Sequence, residues 1–498
     1  MAGQLSGPVA LVCTSGTALL NYAPAVAEAY YQKIPLVVIS ADRPKEWIDQ
    51  DDCQTIRQFE ALSQFVKKSY DIPARCDDDT ARWYVNRIAN DALIEANSGR
   101  RAPVHINVQL DEPLARLAEY SNKQRVIEIT LPSQSVSGSD METLLREAEG
   151  KNVLVISGFG EKDPDLEYGL NKLASLPNVA VLTETISNLH SPKFIQAIDR
   201  TLLAMERGAE DCYKPDLLIT VGGAIISRIV KTFLRKYRAA CQWYVGIAET
   251  TVDCMQTLTR RIQVEPGAFF RQFANSYAEK TSSESDFAEK WRKLYEKGRK
   301  RHELYLESIE WSDMRAFSTI IPSLPDNCRV QLSNGTTIRY AQLFGDMLSQ
   351  DSFCNRGVSG IDGSTSTALG ASLAYDGTTV LITGDMSFSY DLSGLASQYN
   401  SGRFKIIVMC NGGGGIFRFV KATSDLPELE RYFEVKRDIP VDRYATAFGF
   451  EYFEACSEDG LRNVLPEFWN SEKASILAVK TDNIVSAETL RNYFKRDK

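Results

Sequence analysis

The chain has 498 residues, a formal net charge of −8 at pH 7, 44% hydrophobic residues and 24% charged residues. This near-average balance excludes a disordered or collagenous chain. The mild acidity argues against a protein held on nucleic acid or a membrane surface by a basic field. At about 150 residues per domain, and with single cores rarely exceeding about 250–300 residues, three domains are expected. The ten cysteines include no C-x-x-C pair and read as reduced, mostly core residues of a cytoplasmic protein. His105, His190 and His302 are the only histidines and lie far apart in sequence, so a histidine-rich metal site or a histidine-dependent hydrolase is a poor expectation. No apolar run reaches the roughly 18–20 residues of a membrane helix, and no signal peptide precedes the first predicted strand.

In chain order, residues 9–13 read as a buried strand, followed by Thr14-Ser15-Gly16-Thr17 and a helix through 25–31. Residues 35–40 and 104–108 read as further buried strands. Continuous apolar strands separated by helices predict a parallel sheet covered on both faces. A first domain over 1–118 then gives way to a polar linker at 119–139, where Ser133 to Ser139 are nearly all small and polar. A second α/β domain, 140–282, has predicted strands at 153–157, 179–182, 217–221 and 243–247. Its Gly158-Phe159-Gly160 and Gly222-Gly223 are weak nucleotide signals, read here as turns of an empty structural domain, and Arg260-Arg261 reads as a surface pair. Residues 287–309 form a charge-rich, solvated helix within a connecting segment, 283–312. The third domain, 313–498, has strands at 330–332, 380–383, 405–410 and 476–480. The expected fold class is α/β, with three mostly parallel sheets carrying helices on both faces.

The chemistry concentrates in the third domain. The strand Val380-Leu381-Ile382-Thr383 runs into Gly384-Asp385-Met386-Ser387, and the strand at 405–410 runs into Asn411-Gly412-Gly413-Gly414-Gly415. Parallel strands end at one sheet edge, where open α/β folds bind ligands. Asp385 and Asn411 are separated by about one strand–helix–strand crossover. Their oxygens can therefore converge on a hard divalent cation, and the glycines let backbone approach a diphosphate. Taken singly, each element reads as an ordinary helix N-cap turn or a flexible loop. Together, at that spacing, they point to a cation–diphosphate site.

This spacing resembles the thiamine-diphosphate signature, Gly-Asp-Gly followed one crossover later by Asn-Asn. The resemblance implies thiamine diphosphate with Mg²⁺ or Mn²⁺, the metal held by Asp385, Asn411 and the Gly413 carbonyl. Met386 and Cys410 depart from the signature, and neither replaces a metal ligand. Asn355-Arg356-Gly357-Val358-Ser359-Gly360-Ile361-Asp362-Gly363, with Ser366-Thr367-Ala368-Leu369-Gly370, resembles a stretch of the menaquinone-pathway 2-succinyl-5-enolpyruvyl-6-hydroxy-3-cyclohexene-1-carboxylate synthase family. So do Thr14 to Ala18, Ala41-Asp42-Arg43-Pro44, Cys53 to Gln58, Pro103 to Asn107, Glu112-Pro113-Leu114 and Gly413 to Phe417.

That family resemblance implies decarboxylation of 2-oxoglutarate and addition of the resulting succinyl-semialdehyde carbanion equivalent to isochorismate. Both substrates are dicarboxylates, which suits the planar fork of arginine. The matching arginines are Arg43, Arg339 and Arg356, and Gln54 matches the cofactor-facing glutamine; these four form the expected catalytic set. Ile361 matches the aliphatic side chain that props the cofactor. Gly384, Asp385, Met386, Ser387, Asn411, Gly413, Gly415, Ile416 and Phe417 complete the expected cofactor site, with Phe417 as an apolar wall. Gly335 stands where the family has a serine. The family's catalytic glutamate belongs to a segment expected before Met1, and Glu28, on a helix after the first strand, does not replace it. The chain as given is therefore expected to turn over poorly without upstream sequence. The resemblance further implies a homodimer or homotetramer, without nucleic-acid or membrane partners. A pyruvate-using thiamine-diphosphate enzyme and a non-catalytic cofactor-binding fragment stay open as alternatives. No strand opens the G-x-G-x-x-G of a nicotinamide dehydrogenase.

Overall fold

A computed structural model describes residues 1–5, 7–111, 124–130, 135–280 and 284–495. The Glu112-Pro113-Leu114 motif and much of the 119–139 linker lie outside them. Fifteen described strands form three sheets, every pairing parallel. The chain divides into two compact units. The first comprises Met1–Ser133 with Arg356–Ser359, and the second Gln134–Asn355 with Gly360–Lys498. Among the described residues no helix is long and apolar enough to cross a membrane.

In the first unit, β1 (Val9–Cys13), β2 (Leu36–Asp42), β3 (Ser69–Ile72) and β4 (Val104–Gln109) run in the order β1-β2-β4-β3. Apolar side chains cover both faces of this sheet. Val37, Ile88, Ala92, Val104 and Ile106 form one cluster, and Leu19, Val26, Val38 and Leu62 another. The expected buried strand at 9–13 needs correction. β1 is an edge strand whose residues alternate in exposure, and Val12 is 69% exposed. An edge strand has a neighbour on one side only, so β-branched composition alone does not bury it. β3 escaped prediction because Ser69-Tyr70-Asp71-Ile72 lacks an apolar run.

The second unit holds two sheets. β5 (Val153–Ser157), β6 (Val179–Thr183), β7 (Leu217–Val221), β8 (Cys241–Val245) and β9 (Leu258–Ile262) are ordered β6-β5-β7-β8-β9. β10 (Cys328–Leu332), β11 (Ser352–Cys354), β12 (Thr378–Gly384), β13 (Phe404–Cys410), β14 (Glu451–Ala455) and β15 (Ser475–Lys480) are ordered β11-β10-β12-β13-β15-β14. One cluster joins Ile186, Leu203 and Ile226, which lie in segments following strands of the five-stranded sheet, to Val330, Val380 and Ile407 of the six-stranded sheet. The helix Phe287–Ser308 is not simply solvated: Phe287, Trp291, Leu294, Gly298 and His302 form a buried stripe at helical spacing. The cysteines also correct the expectation. All ten are free, but only Cys328 and Cys354 are buried, and Cys53, Cys212, Cys254 and Cys456 are exposed, since these four fall outside the strands.

The glycines of the five-stranded sheet have a packing explanation. A Cβ on Gly158 would stand 2.1 Å from the Gly223 carbonyl oxygen, and one on Gly223 would stand 2.3 Å from the Phe159 ring. Phe159 thus fills the space over these two strand ends. Arg260 pairs with Glu147 and the Arg261 guanidinium donates to the Ala248 carbonyl, so both engage their own sheet's surroundings.

Candidate active site

β12 and β13 are neighbours, Gly384 opposite Met409, so the segments that follow them emerge at one edge of the six-stranded sheet. The helix Asp385–Tyr390 begins directly at the end of β12, which turns Asp385 toward the chain leaving β13. One Asp385 oxygen accepts the Met386 N–H (2.7 Å), and the other accepts the N–H groups of Gly412 (2.8 Å) and Gly413 (3.1 Å). A carboxylate has about four acceptor positions, so one remains for a further ligand. The group is 3% exposed, and burial pushes its carboxyl up to about 7 against the pull of those three N–H donors. A cation would restore its ionised form.

Asn411 directly follows β13. Its Nδ2 donates to Asp313 (2.9 Å), while its Oδ1 is buried without a partner among the described residues. An orphaned buried amide oxygen is costly unless something binds it. The glycine run shows the same incompleteness. Gly412 and Gly413 hold φ of 87° and 149°, and a Cβ on Gly413 would stand 2.7 Å from the Glu434 carbonyl oxygen. Only glycine keeps this backbone open. One carboxylate, one amide oxygen and the Gly413 carbonyl are the hard oxygen donors that Mg²⁺ or Mn²⁺ takes, so these residues fit a cation and a diphosphate. Among the described residues, no group of three or more His, Cys, Asp or Glu side chains is placed to hold a metal.

Around this centre the Ser387 hydroxyl donates to the Ile361 carbonyl (2.5 Å), and the Gly384 N–H donates to the Ser333 hydroxyl (3.3 Å). Asn334 ties the loop bearing Ile361 to the end of β10, because its Nδ2 donates to the carbonyls of Asn355 and Gly360, both at 2.7 Å. Met386, Gly415 and Ile416 are half-buried. Phe417 is 38% exposed, with its ring centroid 5.8 Å from that of Phe433. Arg339, on the helix Thr337–Leu343, donates to the Gly335 carbonyl at the head of its own helix and exerts an attractive field on Asp199.

Gln54, Arg43 and Arg356 belong to the first unit. Gln54 is exposed at φ 60°, and its Nε2 donates to the Thr14 hydroxyl and the Ser15 carbonyl, both 3.1 Å, beside the turn that follows β1. The neighbouring Gln58 is fully buried and accepts the Gly16 N–H at 2.6 Å. Arg43 stands 3.9 Å from Asp52. Glu28 accepts the N–H groups of Gly357 (2.6 Å) and Val358 (2.7 Å), fastening the short segment that carries Arg356.

Three residues went unseen in the sequence. Asp313 meets the Asn411 amide, while Glu434 and Asn483 lie against the glycine run. Glu434 is fully buried and pairs with Arg418 (2.9 and 2.5 Å) and with the Asn483 amide, while its carbonyl accepts the Gly414 N–H at 2.7 Å. No local pattern marks them, because an isolated acid or amide in a helix or turn has no distinguishing neighbours.

Residues 1–61 match the family described as thiamine pyrophosphate enzyme, N-terminal TPP binding domain, and residues 334–479 match the C-terminal TPP binding domain. A 2-succinyl-5-enolpyruvyl-6-hydroxy-3-cyclohexene-1-carboxylate synthase of Porphyromonas gingivalis is 40% identical over 98% of this chain and 85% of its own length. The chain belongs to this synthase family. Synthases of the same name from Flavobacterium johnsoniae and Bacteroides fragilis are 38% and 33% identical, each over 99% of this chain and 88% of its own length. As a member of the synthase family, the chain is a thiamine-pyrophosphate-dependent transferase. The C-terminal match contains Asp385, Asn411, Gly413 and Glu434, whereas Asp313 and Asn483 lie outside it.

Proposed function

We propose that this synthase joins 2-oxoglutarate, with loss of CO₂, to isochorismate, giving 2-succinyl-5-enolpyruvyl-6-hydroxy-3-cyclohexene-1-carboxylate. The observation that carries the reading is the pair of adjacent strand ends at which Asp385 receives the Gly412 and Gly413 N–H groups beside the unpartnered Asn411 Oδ1. Asp385, Asn411 and the Gly413 carbonyl would hold Mg²⁺ or Mn²⁺, with the run to Gly415 cradling the diphosphate. When bound, thiamine diphosphate supplies the electron sink that decarboxylation of a 2-oxo acid requires.

The protein's own work is binding, orientation and charge. Arg43, Arg339 and Arg356 would bind substrate carboxylates, since a guanidinium meets a carboxylate through two parallel hydrogen bonds. Gln54 and Ile361 would contact the cofactor, and Ile416 and Phe417 would form apolar wall. The family's usual serine hydroxyl is replaced at Gly335, whose carbonyl instead receives Arg339. The three sheets would mark three domains, 1–118, 140–282 and 313–498, in a homodimer or homotetramer.

The test is turnover of the purified chain with thiamine diphosphate, Mg²⁺, isochorismate and either 2-oxoglutarate or pyruvate, followed by CO₂ release and product mass. CO₂ and a succinylated product with 2-oxoglutarate, formed at the low rate expected of the chain as given and lost in Asp385→Ala, are expected. Turnover with pyruvate and none with 2-oxoglutarate would overturn the substrate assignment.

A further inference from the structure

We propose that Asp313 is a positioning residue for the cation site: its carboxylate decides which end of the Asn411 amide is left to face the metal. The proposal rests on the reading that Asp385, Asn411 and Gly413 hold a divalent cation. A side-chain amide has a donating and an accepting end of nearly equal size, and its neighbours alone choose between the two orientations. Only the accepting end ligates a metal. As placed, both Asp313 oxygens act as acceptors, one from the Thr481 hydroxyl and one from Nδ2, so Asp313 takes Nδ2 and rejects Oδ1.

The geometry holds Asp313 firmly to this task. It opens the helix Asp313–Ser323, and its own N–H donates to the Ser486 hydroxyl at 3.0 Å. One of its oxygens receives the Thr481 hydroxyl at 2.5 Å, and the other receives Asn411 Nδ2 at 2.9 Å. The two oxygens thus have separate donors, and rotation of the carboxylate would break both bonds. Thr481 and Asn411 stand side by side because β13 and β15 pair in parallel with Cys410 opposite Lys480, and the Thr481 N–H donates to the Cys410 carbonyl at 3.1 Å. A single carboxylate therefore spans two neighbouring strand ends. Asp313 is 2% exposed, so water does not compete for these bonds. The result is an Asn411 Oδ1 that is buried, unpartnered and held in one orientation. Partners of metal ligands commonly act in this way, and losing one typically costs about 10–100-fold in metal affinity.

The experiment counts free Mn²⁺ by electron paramagnetic resonance during titration of the chain in excess thiamine diphosphate, with circular-dichroism melts as the folding check. Asp313→Asn brings its own NH₂ to the contact and lets the Asn411 amide turn over, so Mn²⁺ affinity falls by about 10–100-fold. Thr481→Val, which removes one donor to Asp313, lowers it in the same direction by less. The swap Asp313→Asn with Asn411→Asp keeps the total charge and leaves a carboxylate oxygen for the cation whichever way it turns, so binding recovers; a merely structural role would not produce that recovery. Should Asp313→Asn fail to fold, Thr481→Val and the swap decide the question. Unchanged Mn²⁺ affinity in Asp313→Asn and Thr481→Val, or a swap that binds no better than Asp313→Asn, overturns the positioning role. Asp385→Asn separates the two levels: if it binds Mn²⁺ like the parent chain, the cation reading fails, and if it alone loses Mn²⁺, only the role of Asp313 fails.

Discussion

At the scale of single residues, the glycine run is held open by a clamp built from buried charge. The Glu434 carboxylate is satisfied by Arg418 and Asn483, and its backbone carbonyl anchors Gly414. Val435, next in sequence, holds φ at 49°, a left-handed conformation that a β-branched residue adopts at a cost of about 1–3 kcal/mol. The strain sits where the segment reverses to let the Arg437 N–H donate to the Gly412 carbonyl at 2.9 Å. Gly413→Ala is expected to abolish the rise in melting temperature that thiamine diphosphate with Mg²⁺ confers, because its Cβ would meet the Glu434 carbonyl at 2.7 Å. Differential scanning fluorimetry with and without cofactor reads this directly, and an undiminished shift would show that the run does not form the cradle. The placement of Asp385 and Asn411 at neighbouring strand ends was legible in the sequence because each follows an apolar strand within a local motif. Asp313, Glu434 and Asn483 were not, since their roles exist only through contacts with residues far along the chain.

At the scale of elements, the helix Phe287–Ser308 shows how charge content misleads. Lysine, arginine and glutamate dominate its composition, yet one stripe packs against the helix Ile198–Leu203. At Gly298 a Cβ would approach the Arg200 carbonyl oxygen to 2.8 Å, so the two helices touch backbone to side-chain position there. Trp291 is fully buried, its ring edge-on to Tyr213 and Phe233 at centroid distances of 5.5 and 6.2 Å. Trp291→Ala should cost about 3–5 kcal/mol, measured as an earlier first transition in urea unfolding. A loss below about 1 kcal/mol would mean that the stripe is peripheral to the fold. The period of the apolar positions, rather than their number, was the usable signal here.

Across the whole molecule, two buried histidines couple stability to acid. His105 is pushed down to about 4 by burial, and His302 to about 3 by burial with the Arg200 charge adding to it. Both stay neutral in the native protein, whereas the unfolded chain takes up their protons near 6.5. Their contribution is therefore complete above that pH and is lost as pH falls from about 6.5 toward the native values. Asp42, Asp313 and Asp385, whose carboxyls burial raises, take up protons more readily in the native protein than in the unfolded chain and so work in the opposite direction. The informative quantity is thus the difference between the parent chain and His302→Gln. The parent's advantage in unfolding free energy should shrink by roughly 2–3 kcal/mol between pH 6.5 and 4.5, measured by urea unfolding at each pH. A constant difference would show that His302 titrates normally in the native protein.

The sequence by itself determined the α/β class, most of the strands in the three parallel sheets, and the pairing of an acid with an amide at two strand ends. These follow from the period and apolarity of short segments and from motifs that lie within one crossover. Tertiary structure alone decided that β1 is an edge strand, that Phe159 fills the space at Gly223, that Asp313 meets the Asn411 amide and that Glu434 meets the glycine run. Those outcomes depend on which distant groups meet, and a buried polar atom's partner is set by packing rather than by its neighbours along the chain.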